Sequence, residues 1–306
     1  MDLRKLVGAL IASSILVVSS FALELPANKL VDAKWLKANM ADKSLVIIDI
    51  REKSELYTKE HIPGAIRWDM EEYREKRYPD VEGYIAAPLA FEKLMKKSGI
   101  TKDSKVVFYS EGDKEGGYTL SGLGVYVTEY YGFKNTAVLN GGIDGWIKEG
   151  FAVDATPVNR TASDWKITSI DTSSYATLAD MDKAITLQSA QVVDTRPAAQ
   201  VDGSKSHPRV LIPGHIPGAK HLFVGNFTKK DGNVIYLDAK AAKEQFAKVN
   251  VDPKKPVIWY CNTSWYASGA WFAAKYLGGL QGAKVYDGSM VEYTRTPNRK
   301  LDLGAI

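Results

Sequence analysis

The sequence contains one cysteine, Cys261, and four histidines in 306 residues. A single cysteine cannot form an internal disulfide, and a thioredoxin-like reductase, which needs two thiols, is excluded. Scattered histidines without a second thiol do not make up a typical zinc site. We therefore expect no metal ion and no organic cofactor.

The chain also lacks a large net charge. The chain has 40 Lys and Arg residues against 36 Asp and Glu residues, which gives a formal net charge of +4. These charges are spread along the chain without a basic block. Because nucleic-acid binding needs a concentrated basic surface, we expect no nucleic-acid partner.

Long apolar runs are confined to the N-terminus. Arg4 and Lys5 precede an almost wholly apolar run over residues 6–18, and residues 20–22 place small side chains at the two positions that a signal peptidase reads. This pattern predicts a cleavable signal peptide over residues 1–22 and a periplasmic or secreted protein. An uncleaved membrane anchor is the alternative. In an oxidising compartment a free thiol is a liability unless it is used, which favours a functional role for Cys261.

The remaining chain carries four motifs twice, in the same order. They are Asp49-Ile50-Arg51 and Asp194-Thr195-Arg196, His61-Ile62-Pro63-Gly64-Ala65 and His215-Ile216-Pro217-Gly218-Ala219, the runs 106–110 and 257–261, and the segments 140–146 and 287–293. A repeat period of this size indicates a duplicated domain rather than a solenoid. We expect domains at 23–155 and 175–306, joined by a polar linker at 156–174.

Each half alternates short apolar strands with amphipathic segments. In the second half the pattern predicts strands near 191–194, 257–260 and 284–286, and helices over 239–249 and 265–277. Such alternation predicts an α/β fold, with a parallel sheet and helices on both faces. Reactive groups in such sheets lie at the carboxyl ends of the strands.

Cys261 falls at such a strand end. It follows the run 257–260 and is separated from the helix at Trp265 by Asn262, Thr263 and Ser264. Backbone N–H groups at a helix N-terminus favour an anion, so this position predicts a nucleophilic thiolate whose pKa is below the ordinary value. The alternative is a small buried apolar side chain.

The other paired motifs have simpler structural explanations. An Asp-x-Arg at a strand end can form a bidentate ion pair, and this is the favoured role of Arg196. Both halves carry the histidine, His61 and His215, but only one carries a cysteine. We therefore expect these histidines to serve the fold rather than catalysis.

Taken together and in order, these elements resemble the tandem-domain rhodanese family, which comprises the thiosulfate and 3-mercaptopyruvate sulfurtransferases. The resemblance covers nearly all of residues 30–295, and with the N-terminal segment it suggests an exported bacterial type. It implies two tandem rhodanese-like domains, a degenerate first copy with Ser110 at the catalytic position, and Cys261 as the nucleophile. It also implies an active-site loop formed by Cys261, Asn262, Thr263, Ser264, Trp265 and Tyr266.

The resemblance also implies a two-step reaction. Cys261 takes a sulfur atom from a small donor, such as thiosulfate, 3-mercaptopyruvate or polysulfide, and becomes a persulfide. A thiol, sulfite, cyanide or a protein acceptor then removes that sulfur. The alternative is a periplasmic sulfur-binding or delivery protein without rapid turnover on free small acceptors. A phosphatase of the same fold is disfavoured, since Ala267 stands where its phosphate-binding arginine is needed.

Substrate-binding residues are harder to assign. Thiosulfate-using members of the family usually carry cations in the active-site loop, whereas residues 262–266 are uncharged. Gln200 stands where the family often has a second arginine. This leaves Arg209, Arg196 and Gln200 as substrate-binding candidates.

Overall fold

The computed structural model describes residues 22–77 and 80–306. Residues 1–21, which make up nearly all of the predicted signal peptide, lie outside the described residues. Across the described ranges, no helix combines the length and the apolar character that a membrane crossing needs.

The first half folds around a five-stranded parallel sheet with the order β1-β7-β6-β2-β3, and β4 and β5 form a separate antiparallel hairpin. The strands are β1 (Leu30–Val31), β2 (Leu45–Asp49), β3 (Ile66–Arg67), β4 (Arg74–Arg77), β5 (Val81–Ile85), β6 (Lys105–Tyr109) and β7 (Thr136–Leu139). The helices are α1 (Ala33–Asn39), α2 (Ser54–Lys59), α3 (Met70–Tyr73), α4 (Pro88–Lys97), α5 (Thr119–Tyr130) and α6 (Gly142–Lys148).

The second half repeats this plan, with a five-stranded parallel sheet in the order β10-β9-β13-β14-β8 and a β11–β12 hairpin. The strands are β8 (Tyr175–Ala176), β9 (Gln191–Asp194), β10 (Lys220–His221), β11 (Thr228–Asp231), β12 (Val234–Leu237), β13 (Val257–Tyr260) and β14 (Ala283–Tyr286). The helices are α7 (Leu178–Leu187), α8 (Ala198–Val201), α9 (Ala239–Lys248), α10 (Trp265–Phe272) and α11 (Ser289–Arg295), with a 3₁₀ turn at Val224–Phe227 and a π-helix at Ala273–Leu277.

The predicted α/β class, with two parallel-sheet domains, is confirmed. The strands predicted at 191–194 and 257–260 have those bounds, and the third begins one residue earlier, at Ala283. The helix predicted over 265–277 is α-helical only to Phe272 and continues as a π-helix. That wider turn places Lys275 and Tyr276 against the buried carboxylate of Glu129 in α5.

The Asp-x-Arg motif forms the same buried ion pair in both halves. The Arg51 Nη2 atom lies 2.6 Å from Asp49 Oδ2, and Arg196 Nη2 lies 2.6 Å from Asp194 Oδ2. Both pairs lie at the carboxyl end of an interior strand, β2 or β9, and are almost fully shielded from water. They lock the turn that follows each strand.

The two motif histidines also have matching roles. The backbone N–H of His61 donates to Asp154 O at 2.7 Å, and that of His215 donates to Asp302 O at 2.9 Å. In each ring, Nδ1 lies within 2.9 Å of a backbone carbonyl oxygen. Each histidine thus ties the end of its domain to the Pro-Gly turn.

Two equivalent helices, α5 and α10, pack against each other across the domain interface. A Cβ atom added to Gly122 would lie 3.0 Å from Gly269 Cα, and one added to Gly269 would lie 2.4 Å from Thr119 Cγ2. Only glycine allows so close an approach of the two backbones. Because α5 follows β6 and α10 follows β13, the loops that precede these helices face the same interface.

Each domain also extends its hairpin onto the other domain. The Ile85 N–H of β5 donates to Asp287 Oδ2 at 2.9 Å, and the Leu237 N–H of β12 donates to Asn140 Oδ1 at 2.7 Å. Asp287 and Asn140 occupy equivalent positions in the sequence repeat. Each hairpin therefore donates a backbone N–H to the equivalent side chain of the other domain, and the two contacts are reciprocal.

Candidate active site

Cys261 lies directly after β13 and faces a cavity of about 300 Å³ at the domain interface. Its side chain is 3% exposed. The cavity is also lined by four predicted loop residues, namely Asn262, Thr263, Trp265 and Tyr266. The structure thus brings the lone thiol and most of the predicted loop to one small, partly enclosed space.

The environment of the thiol differs from the expectation in one respect. Burial raises the pKa of Cys261 above its ordinary value, while the backbone N–H groups of Ala267, Thr263 and Tyr266 act in the opposite direction. The expectation of a lowered Cys261 pKa is therefore wrong, because the loss of hydration outweighs the amides. These amides still converge on the sulfur, where they stabilise negative charge once it forms.

Ser289, at the start of α11, holds the loop that carries Cys261 through hydrogen bonds. Its Oγ accepts hydrogen bonds from the N–H groups of Cys261 at 3.3 Å and Ser264 at 3.0 Å, and donates to Tyr286 O at 2.8 Å. Ser289 has a φ of 47°, which is costly for a residue with a Cβ atom. One hydroxyl thus fixes both ends of the turn that carries the thiol.

Ser264 precedes α10 but does not cap it. With a φ of 60°, its Oγ points away from the helix N–H groups and donates to Asp287 Oδ1 at 3.2 Å. Arg74 Nη2 of β4 donates to the same Oγ, and to Thr263 O at 3.0 Å. The hydroxyl is therefore used in a contact between the two domains.

Asn262 and Gln200 form a pair in the cavity wall. Asn262 Nδ2 donates to Gln200 Oε1 at 2.8 Å, and both residues line the cavity. Of the substrate-binding candidates, only Gln200 reaches the space in front of Cys261.

The two candidate arginines do not face that space. Arg196 is 2% exposed and paired with Asp194, which is the structural role favoured from the sequence. Arg209 is exposed, its Nε lies 2.7 Å from Glu82 of the first domain, and it lines a neighbouring cavity. The expectation that Arg209 meets an anionic donor beside Cys261 is not supported, because Glu82 pairs with its guanidinium.

The aromatic residues of α10 fall into two groups. Trp265 and Tyr266 line the cavity, whereas Trp271 and Phe272 are fully buried in the core. Burial raises the pKa of Tyr266, so its hydroxyl stays protonated at neutral pH.

Sequence reasoning missed the charged part of the cavity wall. Glu52, Glu111, Lys114 and Glu115, all from the first domain, line the cavity. The last three follow Ser110, the counterpart of Cys261, so the repeat itself was the available signal. The loop that follows Ser110 in the first domain thus forms part of the wall of the cavity that Cys261 of the second domain faces.

His207 was also missed, although it lines the cavity. Burial lowers its pKa, helped by the charges of Arg209 and Arg196, which keeps the imidazole neutral at neutral pH. Among the residues that the structure describes, no group of three or more His, Cys, Asp or Glu side chains is placed to hold a metal ion.

Ser110, the counterpart of Cys261 in the first domain, is not placed to act as a second nucleophile. Its Oγ donates to Gly117 O at 2.8 Å and lies 2.9 Å from Ser121 Oγ, and the side chain is buried. The hydroxyl is thus engaged by its own loop.

Two parallel-sheet domains, with a strand-end cysteine in only one of them, define a tandem α/β protein with a single thiol at its domain interface. The sequence matches the rhodanese-like domain twice, over residues 32–149 and 177–296. The chain belongs to the rhodanese family, with two copies of its domain.

Similar proteins support sulfur transfer at the family level. The thiosulfate sulfurtransferases of Corynebacterium glutamicum and Gallus gallus are each 29% identical, over 90% and 86% of this chain and over 91% and 92% of their own lengths. The sulfur carrier protein TtuD of Thermus thermophilus is 28% identical over 86% of this chain and 93% of its own. The protein is a sulfurtransferase homologue.

A solved structure confirms the fold. The anaerobic ergothioneine biosynthesis enzyme from Chlorobium limicola superposes with a TM-score of 0.80 at 23% identity. The match covers 91% of this chain and 71% of that one. At this identity the likeness concerns the arrangement of the two domains.

Proposed function

We propose that this protein is a sulfurtransferase that moves sulfur from thiosulfate, 3-mercaptopyruvate or polysulfide to a thiophilic acceptor through a persulfide on Cys261. The observation that carries the proposal is the placement of the chain's only thiol, which faces a small cavity while three loop amides converge on its sulfur. The names of the relatives point to the same chemistry.

The first step loads the enzyme. The Cys261 thiol loses its proton as the donor binds, and its sulfur attacks the transferable sulfur of the donor. A new S–S bond forms, the bond between that sulfur and the rest of the donor breaks, and the electron pair leaves with the donor fragment. Loop amides from Thr263, Tyr266 and Ala267 then stabilise the anionic persulfide.

The second step removes the transferred sulfur from Cys261. A thiolate acceptor attacks the outer persulfide sulfur, the S–S bond to Cys261 breaks, and the electron pair returns to the cysteine sulfur. No oxidant or reductant is consumed, since one S–S bond replaces another. The reaction therefore needs no group beyond the protein's own thiol.

Two-substrate kinetics test this cycle. A covalent relay predicts parallel lines when reciprocal rate is plotted against reciprocal donor concentration at several acceptor concentrations. Cys261→Ser is expected to abolish turnover, and Ser110→Ala to retain it. Converging lines, or turnover by Cys261→Ser, would contradict the relay.

A second candidate is a sulfur carrier or delivery protein. The Thermus thermophilus relative carries that name, and no cation faces the thiol from within the loop itself. A carrier would be loaded on Cys261 and would hand one sulfur to a partner protein, with negligible turnover on free thiols. Turnover of many equivalents with a small thiol excludes this candidate.

The location remains a separate proposal. We infer that residues 1–22 are a cleaved signal peptide and that the protein works in the periplasm or outside the cell. Leu23, the residue that follows the expected cleavage point, packs among buried apolar residues of the first domain. Cell fractionation and N-terminal sequencing test this, with residue 23 expected as the first. An intact N-terminus in the membrane fraction would indicate the anchor instead.

A further inference from the structure

His207 differs from the other three histidines in what its ring contacts. His61 Nδ1 and Nε2, His215 Nδ1 and His221 Nε2 each lie 2.8–3.1 Å from a backbone carbonyl oxygen, which ties these rings to the fold. Of the four histidines, His207 is the one that lines the cavity in front of Cys261. It also lies between the Asp-x-Arg aspartate and the motif histidine, a stretch that is nine residues longer in the second domain than in the first.

One hydrogen bond determines which nitrogen of the His207 ring carries the proton. Nδ1 lies 3.3 Å from the backbone nitrogen of Arg209 and accepts its N–H. Because a backbone N–H only donates, Nδ1 is the unprotonated nitrogen, and the proton of the neutral ring is on Nε2. Nε2 has no hydrogen-bond partner among residues 22–77 and 80–306. With Nδ1 turned toward its own loop, the Nε2 edge of the ring is left for a ligand.

The charges that act on the His207 ring are compatible with an anionic ligand. Burial, and then the charges of Arg209 and Arg196, lower its pKa, while Glu82 acts in the opposite direction. The ring is therefore a neutral N–H donor at neutral pH. The three carboxylates in the wall of the Cys261 cavity come from the first domain and are not among the groups that act on this ring.

The cations near the cavity already have carboxylate partners. Lys114 Nζ, in the cavity wall, lies 3.9 Å from Glu111 Oε1. Arg196 and Arg209 each form an ion pair, at 2.6 Å and 2.7 Å. An anionic oxygen in front of the thiol therefore needs a further donor, and an uncharged imidazole N–H supplies one.

We propose that His207 binds the sulfur donor through its Nε2–H, and that this donor carries an anionic oxygen on the fragment that leaves, as thiosulfate and 3-mercaptopyruvate do and polysulfide does not. This rests on the proposed persulfide cycle and specifies its first step. The Cys261 thiolate attacks the transferable sulfur. The electron pair of the broken bond stays on the sulfur of sulfite, or forms the enolate of pyruvate, which takes a proton from water. His207 keeps its own proton and donates to an oxygen of the leaving fragment, where negative charge grows as the bond breaks.

Loading rates with different donors test this role. The protein is mixed with an excess of each donor, and intact mass follows the gain of one sulfur atom over time. His207→Leu removes the N–H group and is expected to slow loading about tenfold or more from thiosulfate or 3-mercaptopyruvate, whichever loads the wild-type protein, because a hydrogen bond to a charged group is lost. Loading from polysulfide is expected to change by less than about threefold, because polysulfide has no oxygen to accept that bond.

Two further variants assign the effect to the N–H group. His207→Gln places an amide N–H close to the position of Nε2 and is expected to recover part of the lost rate. Leu211→Ala changes an exposed side chain of the same loop, outside the cavity lining, and is the matched control that should load from every donor at the wild-type rate. Loading of His207→Leu from polysulfide also shows that this variant is folded.

The outcomes separate the two proposals. If no donor loads Cys261 of the wild-type protein, the persulfide function fails. If only polysulfide loads it, or if His207→Leu leaves the rates unchanged or reduces them equally for every donor, the function stands and the role of His207 is wrong. A His207→Gln variant no faster than His207→Leu would assign the effect to the ring rather than to its N–H and would also overturn the role.

Discussion

Arg74 of the first domain donates a hydrogen bond to Ser264 of the second, three residues after Cys261. Arg74 Nη1 also lies 3.3 Å from Asp287 Oδ1, the same oxygen that accepts from the Ser264 hydroxyl. All three side chains are buried. The first domain thus holds the loop that carries Cys261 through buried contacts.

Replacing Arg74 should loosen that loop. Arg74→Met leaves the buried Asp287 carboxyl without its cation, and breaking a buried pair costs about 3–5 kcal/mol. Adding Asp287→Asn removes the orphaned charge, so the double variant should recover part of the free energy of unfolding while loading of Cys261 stays slow. Urea unfolding and persulfide formation rates measure the two effects. Wild-type stability and loading in Arg74→Met would contradict this role.

Ser289 offers a test of loop positioning without large unfolding effects. Ser289→Gly relieves a left-handed φ, a gain of about 1–2 kcal/mol, but removes the acceptor for two loop amides at about 1 kcal/mol each. We expect little net change in stability and slower loading of Cys261. Ser289→Ala keeps the strain and should be the less stable of the two. Loading at the wild-type rate in both variants would show that the hydroxyl does not position the thiol.

The pH dependence of stability should report on Glu129. Burial alone would raise its pKa, but the ammonium groups of Lys29 and Lys275 and the Tyr276 hydroxyl hold the pKa below the usual glutamate value. The folded pKa is depressed, so the stabilisation is full above the unfolded pKa of about 4.3 and is lost as pH falls through the folded value. Glu129→Gln should therefore be destabilising at pH 7 and progressively less so below pH ~4. A constant difference across this range would exclude the linkage.

The reactivity of the Cys261 thiol should rise with pH, with a midpoint above the ordinary pKa of cysteine. Burial raises the pKa of Cys261, and the thiolate is the reactive form. Alkylation of the native protein by iodoacetamide should therefore show a midpoint above that of the same cysteine in urea, which is expected near the ordinary value of about 8.5. A native midpoint below the urea midpoint would mean that the amides dominate even without a ligand.

Much of the fold was predictable because the evidence was local and repeated. Apolar strands followed by helices determine a parallel sheet, and the matching motifs revealed two domains. The role of Ser289 also has a signal in the repeat, because the equivalent position of the first domain is Gly142, which has a positive φ as well. A serine in a backbone conformation that suits glycine indicates that the hydroxyl is used.

The contacts between the two domains were not predictable in this way. The pairings of Arg74 with Asp287 and of Arg209 with Glu82 join residues far apart in the sequence, and no local pattern says which residues pair. The thiol pKa depends on how deeply the loop is buried, which composition does not reveal. These features arise only when the two domains close on each other.

The most direct test of the central claim is the intact mass of the protein after incubation with polysulfide, thiosulfate or 3-mercaptopyruvate. The wild-type protein and Ser110→Ala should gain the mass of one sulfur atom, which a thiol removes again, and Cys261→Ala should gain none. Sulfur that still adds to Cys261→Ala, or a wild-type protein that no donor loads, would contradict the account.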